Sequence, residues 1–166
     1  MKSSFCHPCG GVTLIADSKC PILVVEDEPL VSSYICEALE TFDFVVSGCA
    51  SSGPEAIALA AQDRPQLALI DIKLSGPTNG IAVAQILRDQ FDVPTIFLSG
   101  YWSDDLIEQA RAASPLALLA KPFHPSQLYD AVQKALLDPS NPDPTATGGS
   151  EPQGQQPEST GNRRVC

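Results

Sequence analysis

The chain has 166 residues, which suggests one domain with room for ends, and its 43% hydrophobic content is ordinary for a globular protein. Twenty acids against 10 bases give a formal net charge of -10, and no Lys/Arg cluster is present to neutralise phosphates, so a basic nucleic-acid face is excluded. No apolar stretch approaches the roughly 20 residues that span a bilayer, and Lys2 is followed by no long apolar h-region. Neither a membrane segment nor a signal peptide is expected, and a cytoplasmic location follows by default.

Residues 1–19 lack a clear period and read as a disordered N-terminal extension. They contain Cys6-His7-Pro8-Cys9. A C-x-x-C pair can ligate zinc with two further ligands or act in redox exchange. No second pair follows at suitable spacing and no βαβ unit precedes it, so a plain extension is the simpler reading. Among the other cysteines, Cys36 falls within an expected helix and Cys49 at an expected strand end. Reduced thiols acting as small hydrophobes fit there.

Residues 20–137 alternate short apolar runs with amphipathic segments. The first predicted strand is Ile22 to Val25. A helix follows with Pro29 at its start and Leu30, Val31, Tyr34, Ile35, Ala38 and Leu39 on one face. The second strand is Val45 to Cys49, and the next helix opens on Ser52 and Glu55, an S-x-x-E capping box. The third strand is Leu67 to Ile70. A Gly/Pro/Asn loop leads to a helix carrying Ile81, Ala84 and Leu87. The fourth strand is Thr95 to Leu98, with Ser103 as N-cap of the helix beyond it. The fifth strand is Ala117 to Ala120, and the last helix carries Leu128, Ala131, Val132, Ala135 and Leu136. From Asp138 to residue 166 the composition turns to Pro, Gly, Ser, Thr, Gln and Asn, which predicts a disordered tail.

The strand runs are apolar on both faces, as in buried parallel strands, and strands alternating with helices imply a doubly wound α/β sheet. In such a sheet the ligand site lies outside the carboxyl ends of the strands, where strand order reverses. Glu26 and Asp27 follow the first strand, Asp71 ends the third, Ser99 ends the fourth and Lys121 follows the fifth. They should converge. A carboxylate cluster beside one ammonium suits a hard divalent cation and a phosphoryl group. Asp71, alone at the end of the central run, is the natural nucleophile. Asp27 can bind Mg²⁺ directly and Glu26 directly or through water, since this ion keeps several waters. Lys121 supplies fixed positive charge and Ser99 a hydroxyl.

At these residues the chain resembles the response-regulator receiver domain. The matching stretches are Ile22-Leu23-Val24-Val25-Glu26-Asp27-Glu28, Leu69-Ile70-Asp71, Phe97-Leu98-Ser99-Gly100 and Ala120-Lys121-Pro122-Phe123. The resemblance covers Pro21 to Leu137. It implies a five-stranded flavodoxin-like sheet of order 2-1-3-4-5, and phosphate transfer to Asp71 from a histidine kinase or histidine phosphotransfer protein. It also implies Mg²⁺ held by Asp27, Asp71 and the carbonyl of Lys73. Ser99, Lys121 and the backbone N–H of Gly100 would contact the phosphoryl group, and the Lys121-Pro122 bond would be cis. With no second domain expected after Leu137, output would be binding of a downstream protein or competition for phosphate.

Several residues depart from the family pattern. Ser99 stands where a threonine is usual, and Leu119 where an aromatic often sits two residues before the lysine. Ser75-Gly76-Pro77-Thr78-Asn79-Gly80 is an atypical loop. Pro94, Phe97, Gly100 and Tyr101 resemble the FATGUY group of receivers, which are often stand-alone proteins. With no aromatic at 119, Tyr101 is the candidate switch and shield of the phosphoryl group. The alternatives are a phosphatase of the haloacid-dehalogenase type and a phosphate-independent pseudo-receiver. The first would want a carboxylate where Lys73 stands; intact Asp27, Asp71 and Lys121 speak against the second.

Overall fold

Alternating side chains of the first strand enter two different cores, and this sets the whole architecture. Ile22 and Val24 join one buried cluster, Leu23 and Val25 the other, as the two-residue period of a strand requires. The computed structural model describes residues 20–76 and 78–138. The extension with Cys6 and Cys9, and the tail from 139 onward, lie outside the described residues.

In chain order the elements are β1 (Pro21–Val25), α1 (Pro29–Thr41), β2 (Val45–Ala50), α2 (Gly53–Asp63), β3 (Leu67–Asp71), α3 (Gly80–Phe91), β4 (Thr95–Ser99), α4 (Asp104–Ala112), β5 (Ala117–Ala120) and α5 (Pro125–Leu137). The strands form one parallel sheet of order β2-β1-β3-β4-β5. α1 and α5 cover one face, where Ile35, Leu39, Leu128 and Val132 pack on Ile22, Leu69, Leu98 and Leu119. α2, α3 and α4 cover the other, where Ala56, Val83, Leu87 and Ala110 pack on Val25, Ile70 and Phe97. β3 and β4 are buried along their whole length, which is why their sequences are apolar without alternation.

The helix starts differ from expectation in one place. Ser103 caps α4 as predicted, accepting from the N–H of Leu106 at 3.2 Å. Ser52 occupies the N-cap of α2 but makes no side-chain cap bond. Glu55 instead accepts from the N–H and hydroxyl of Ser51 at 2.8 and 2.9 Å, one residue upstream of the box. The capping box belongs to α5, between His124 and Gln127.

The four turns leading from a helix into the next strand each pass through a non-glycine residue in the left-handed region. Asp43, Arg64, Asp92 and Ser114 have φ of 62°, 47°, 57° and 46°. All four lie at the amino edge of the sheet.

Candidate functional site

Strand register brings the opposite edge level. Val25 of β1 pairs with Ile70 of β3, Asp71 with Leu98 of β4, and Ser99 with Ala120 of β5. Glu26 and Lys121 are each one residue past their strands, and Asp71 and Ser99 are the last residues of theirs. Since β1 lies between β2 and β3, the chain reverses direction of travel across the sheet at β1/β3. That is where Asp71 and Glu26 stand.

Lys121 ties the cluster together. Its Nζ donates to Asp71 Oδ2 at 2.8 Å and to Glu26 Oε2 at 2.5 Å. Glu26 and Asp71 are buried. Burial pushes the Glu26 carboxyl above its ordinary range, and the Lys121 ammonium only partly offsets it. Burial pulls Lys121 the other way, but its hydrogen bonds to Asp71 and Glu26 outweigh that and hold it above its ordinary 10.5. The Tyr34 hydroxyl of α1 donates to the Phe123 carbonyl at 3.1 Å, fixing the chain just beyond Lys121, where the Lys121-Pro122 bond is cis as expected.

Asp27 is more accessible. It accepts from the Ser75 N–H at 3.0 Å and from the Ser75 hydroxyl. That hydroxyl bond is the main reason its carboxyl is held below the usual range. Asp71 Oδ1 accepts from the Lys73 N–H at 3.0 Å. The Ser99 hydroxyl is engaged with its own loop: it donates to the Tyr101 carbonyl at 2.8 Å and accepts from the Tyr101 N–H at 3.3 Å. Tyr101 is exposed, and the Lys73 ammonium sits 5.4 Å from its ring centroid. Gly100 borders open space.

The donor set fits a small hard cation. Glu26, Asp27 and Asp71 each offer one oxygen, all within 4.8 Å of one another. A cation of the Mg²⁺ type, which takes one or two protein carboxylates and keeps waters, could be held by these residues. Lys121, paired with Glu26 and Asp71, balances part of the negative charge.

Two residues at the site escaped the sequence reading. Ser75 binds Asp27 from within the atypical loop after β3. Gly80 opens α3 against the backbone of Asp71, and a Cβ there would stand 2.0 Å from the Asp71 carbonyl oxygen. The available signal was Asn79-Gly80 directly before an apolar helical run; Asn79 is the N-cap, accepting from Ala82 N–H at 2.9 Å.

Residues 22–133 match the response regulator receiver domain, and the chain belongs to that family. It is 34% identical over 128 residues to the transcriptional regulatory protein PdtaR of Mycobacterium tuberculosis, covering 76% of this chain and 62% of that one. It is 33% identical over 128 residues to the phyllosphere-induced regulator PhyR of Methylorubrum extorquens, covering 76% of this chain and 47% of that one. The chain thus spans about half to three fifths of the length of these curated relatives. The sporulation initiation phosphotransferase F of Bacillus subtilis is 29% identical over 127 residues, covering 72% of this chain and 96% of that one. Among solved structures, the signal receiver domain of a modulated diguanylate cyclase from Desulfovibrio desulfuricans superposes with a TM-score of 0.68 at 30% identity, covering 71% of this chain and 94% of that one. Membership of the receiver family takes precedence over the haloacid-dehalogenase reading. Among the described residues, no helix is long and apolar enough to cross a membrane.

Proposed function

We propose that the protein accepts a phosphoryl group on Asp71 from the phosphohistidine of a sensor kinase or histidine phosphotransfer protein. An Asp71 carboxylate oxygen forms the new P–O bond as the P–N bond of the donor imidazole breaks. The single observation that carries this reading is Lys121 bridging Asp71 and Glu26 at hydrogen-bond distance, inside a three-carboxylate cluster. Phosphoryl transfer is mainly a matter of position and charge, and these residues supply both.

Asp27, Asp71, Glu26 (directly or through water) and the Lys73 carbonyl would hold Mg²⁺. The ion would supply positive charge between the incoming phosphoryl oxygens and the acidic pocket. Lys121 leaves Asp71 for a phosphoryl oxygen as the negative charge moves outward. The Ser99 hydroxyl exchanges the Tyr101 carbonyl for another phosphoryl oxygen, and the Gly100 N–H serves a third contact. Signalling then proceeds by a change in what the protein binds or by competition for phosphate.

The test is labelling by acetyl phosphate with Mg²⁺ present. Wild type should gain one acid-stable, base-labile phosphoryl group, and Asp71→Asn none. Equal labelling of Asp71→Asn would overturn the assignment. An unlabelled wild type would favour the pseudo-receiver.

A further inference from the structure

Away from the acidic site, Cys36 of α1 and Cys49 of β2 face each other with their sulfurs 2.6 Å apart. We propose that this pair is a thiol oxidation site that closes reversibly into a disulfide joining α1 to β2. Both cysteines are free thiols, as is Cys20. A disulfide S–S bond measures about 2.05 Å, so roughly 0.6 Å of approach remains.

The packing that brings the sulfurs together owes nothing to sulfur chemistry. α1 is anchored by Ile35 and Leu39, which are fully buried on the Ile22/Val24 face of the sheet. β2 is the edge strand, laddered on β1 with Cys49 opposite Val24. Two elements fixed independently hold the thiols in a near-attack position, which raises their effective concentration for each other. The two cysteines are unequal. Cys49 is exposed and Cys36 half-buried. Burial, with the neighbouring thiol, pushes Cys36 up to about 12, so it is protonated at neutral pH. Cys49 is therefore the thiol that meets oxidant and Cys36 the one that resolves it.

With a hydroperoxide as oxidant the steps balance. The Cys49 thiolate attacks the peroxide oxygen, the O–O bond breaks, and Cys49 becomes a sulfenic acid as hydroxide or alkoxide leaves. Cys36 sulfur, losing its proton, then attacks the Cys49 sulfur; the S–O bond breaks and water departs. The pair loses two electrons and the peroxide gains them. A dithiol reverses the bond by exchange.

The test uses the full chain with hydrogen peroxide, followed by digestion after glutamate under non-reducing conditions. Glu37 and Glu40 lie between the two cysteines, so they fall on separate peptides. A linked Cys36–Cys49 peptide is expected at least about fivefold above any pairing with Cys6, Cys9, Cys20 or Cys166, and reversible by dithiothreitol. Cys36→Ser should leave Cys49 trapped by dimedone, and Cys49→Ser should leave Cys36 unlabelled. The oxidised protein should melt roughly 5–10 °C above the reduced one, an upshift absent from Cys36→Ser. A linked peptide no more abundant than other pairings would overturn the proposal, as would equal dimedone labelling of Cys36 and Cys49 in the single variants. An unchanged or lowered melting temperature on oxidation would show that the native geometry does not accept the bond, and would also overturn it.

Discussion

A Cβ placed on Gly80 would stand 2.0 Å from the carbonyl oxygen of Asp71 and 2.9 Å from its carbonyl carbon. The first residue of α3 thus rests directly on the backbone of Asp71, and only glycine allows that approach. Gly80→Ala must push α3 or the end of β3 aside. It should cost roughly 1–3 kcal/mol of stability and slow labelling of Asp71 by more than the stability loss explains. Gly100→Ala is the control: a Cβ there meets nothing within 4 Å, so melting should be near wild type. Denaturant melts and acetyl-phosphate labelling of both variants check this, and wild-type labelling in Gly80→Ala would refute it.

Cation binding should depend on Asp27 more than on Glu26. Glu26 is buried and bound to Lys121 at 2.5 Å, whereas Asp27 holds only exchangeable bonds to Ser75 among those described. Mg²⁺ titration followed by the fluorescence of Trp102, the single tryptophan, should show the larger affinity loss in Asp27→Ala. Equal losses in Glu26→Ala would mean that Glu26 coordinates directly.

The raised Glu26 carboxyl has a signed consequence. Its folded value lies above 4.5, and burial is the first cause. Between 4.5 and that value the folded state binds more protons than the unfolded one, so stability without cation falls as pH rises through the window. Glu26→Gln should flatten that slope. Mg²⁺ should release a proton in the same window, and calorimetry in buffers of different ionisation enthalpy reads it. Lys121 works in the opposite range: its contribution is whole below pH 10.5 and is lost as pH rises through its raised folded value.

Tyr101 and Leu119 should separate signalling from packing. Leu119 is 4% exposed and lies among Leu98 and Leu128, so Leu119→Ala should cost about 2–5 kcal/mol through a cavity while leaving the phosphoryl lifetime of the folded protein near normal. Tyr101 is 62% exposed and touches Ser99 only through its backbone. Tyr101→Ala should leave stability within about 0.5 kcal/mol and shorten the phosphoryl half-life several-fold. An unchanged half-life would remove Tyr101 as a shield.

The fold was legible because its strands are buried on both faces. Leu67-Ala68-Leu69-Ile70 has no polar position at which a helix or an exposed strand could hide, and an acid directly after it marks the sheet edge. The convergence of Glu26, Asp27, Asp71 and Lys121 was legible for the same reason: each ends or follows such a run. What was not legible depends on contacts distant in sequence. Ser75 meets Asp27 across 48 residues, and nothing local in a Ser-Gly-Pro loop announces that. Ser52-x-x-Glu55 has the spacing of a capping box, but Ser51 offers both an N–H and a hydroxyl to the same carboxylate, and two bonds win over one. Gly80 could be seen as a turn glycine but not as a support for Asp71, because that role needs the path of the chain after β3.

The left-handed residues Asp43, Arg64, Asp92 and Ser114 sit at the end of the sheet remote from Asp71. Each bears a conformation that glycine adopts without steric cost. The protein therefore keeps an untapped thermal reserve on one rim and its chemistry on the other. An engineer could harden the scaffold by relaxing Arg64 and Ser114 to glycine without altering a single group that faces the Asp71 carboxylate.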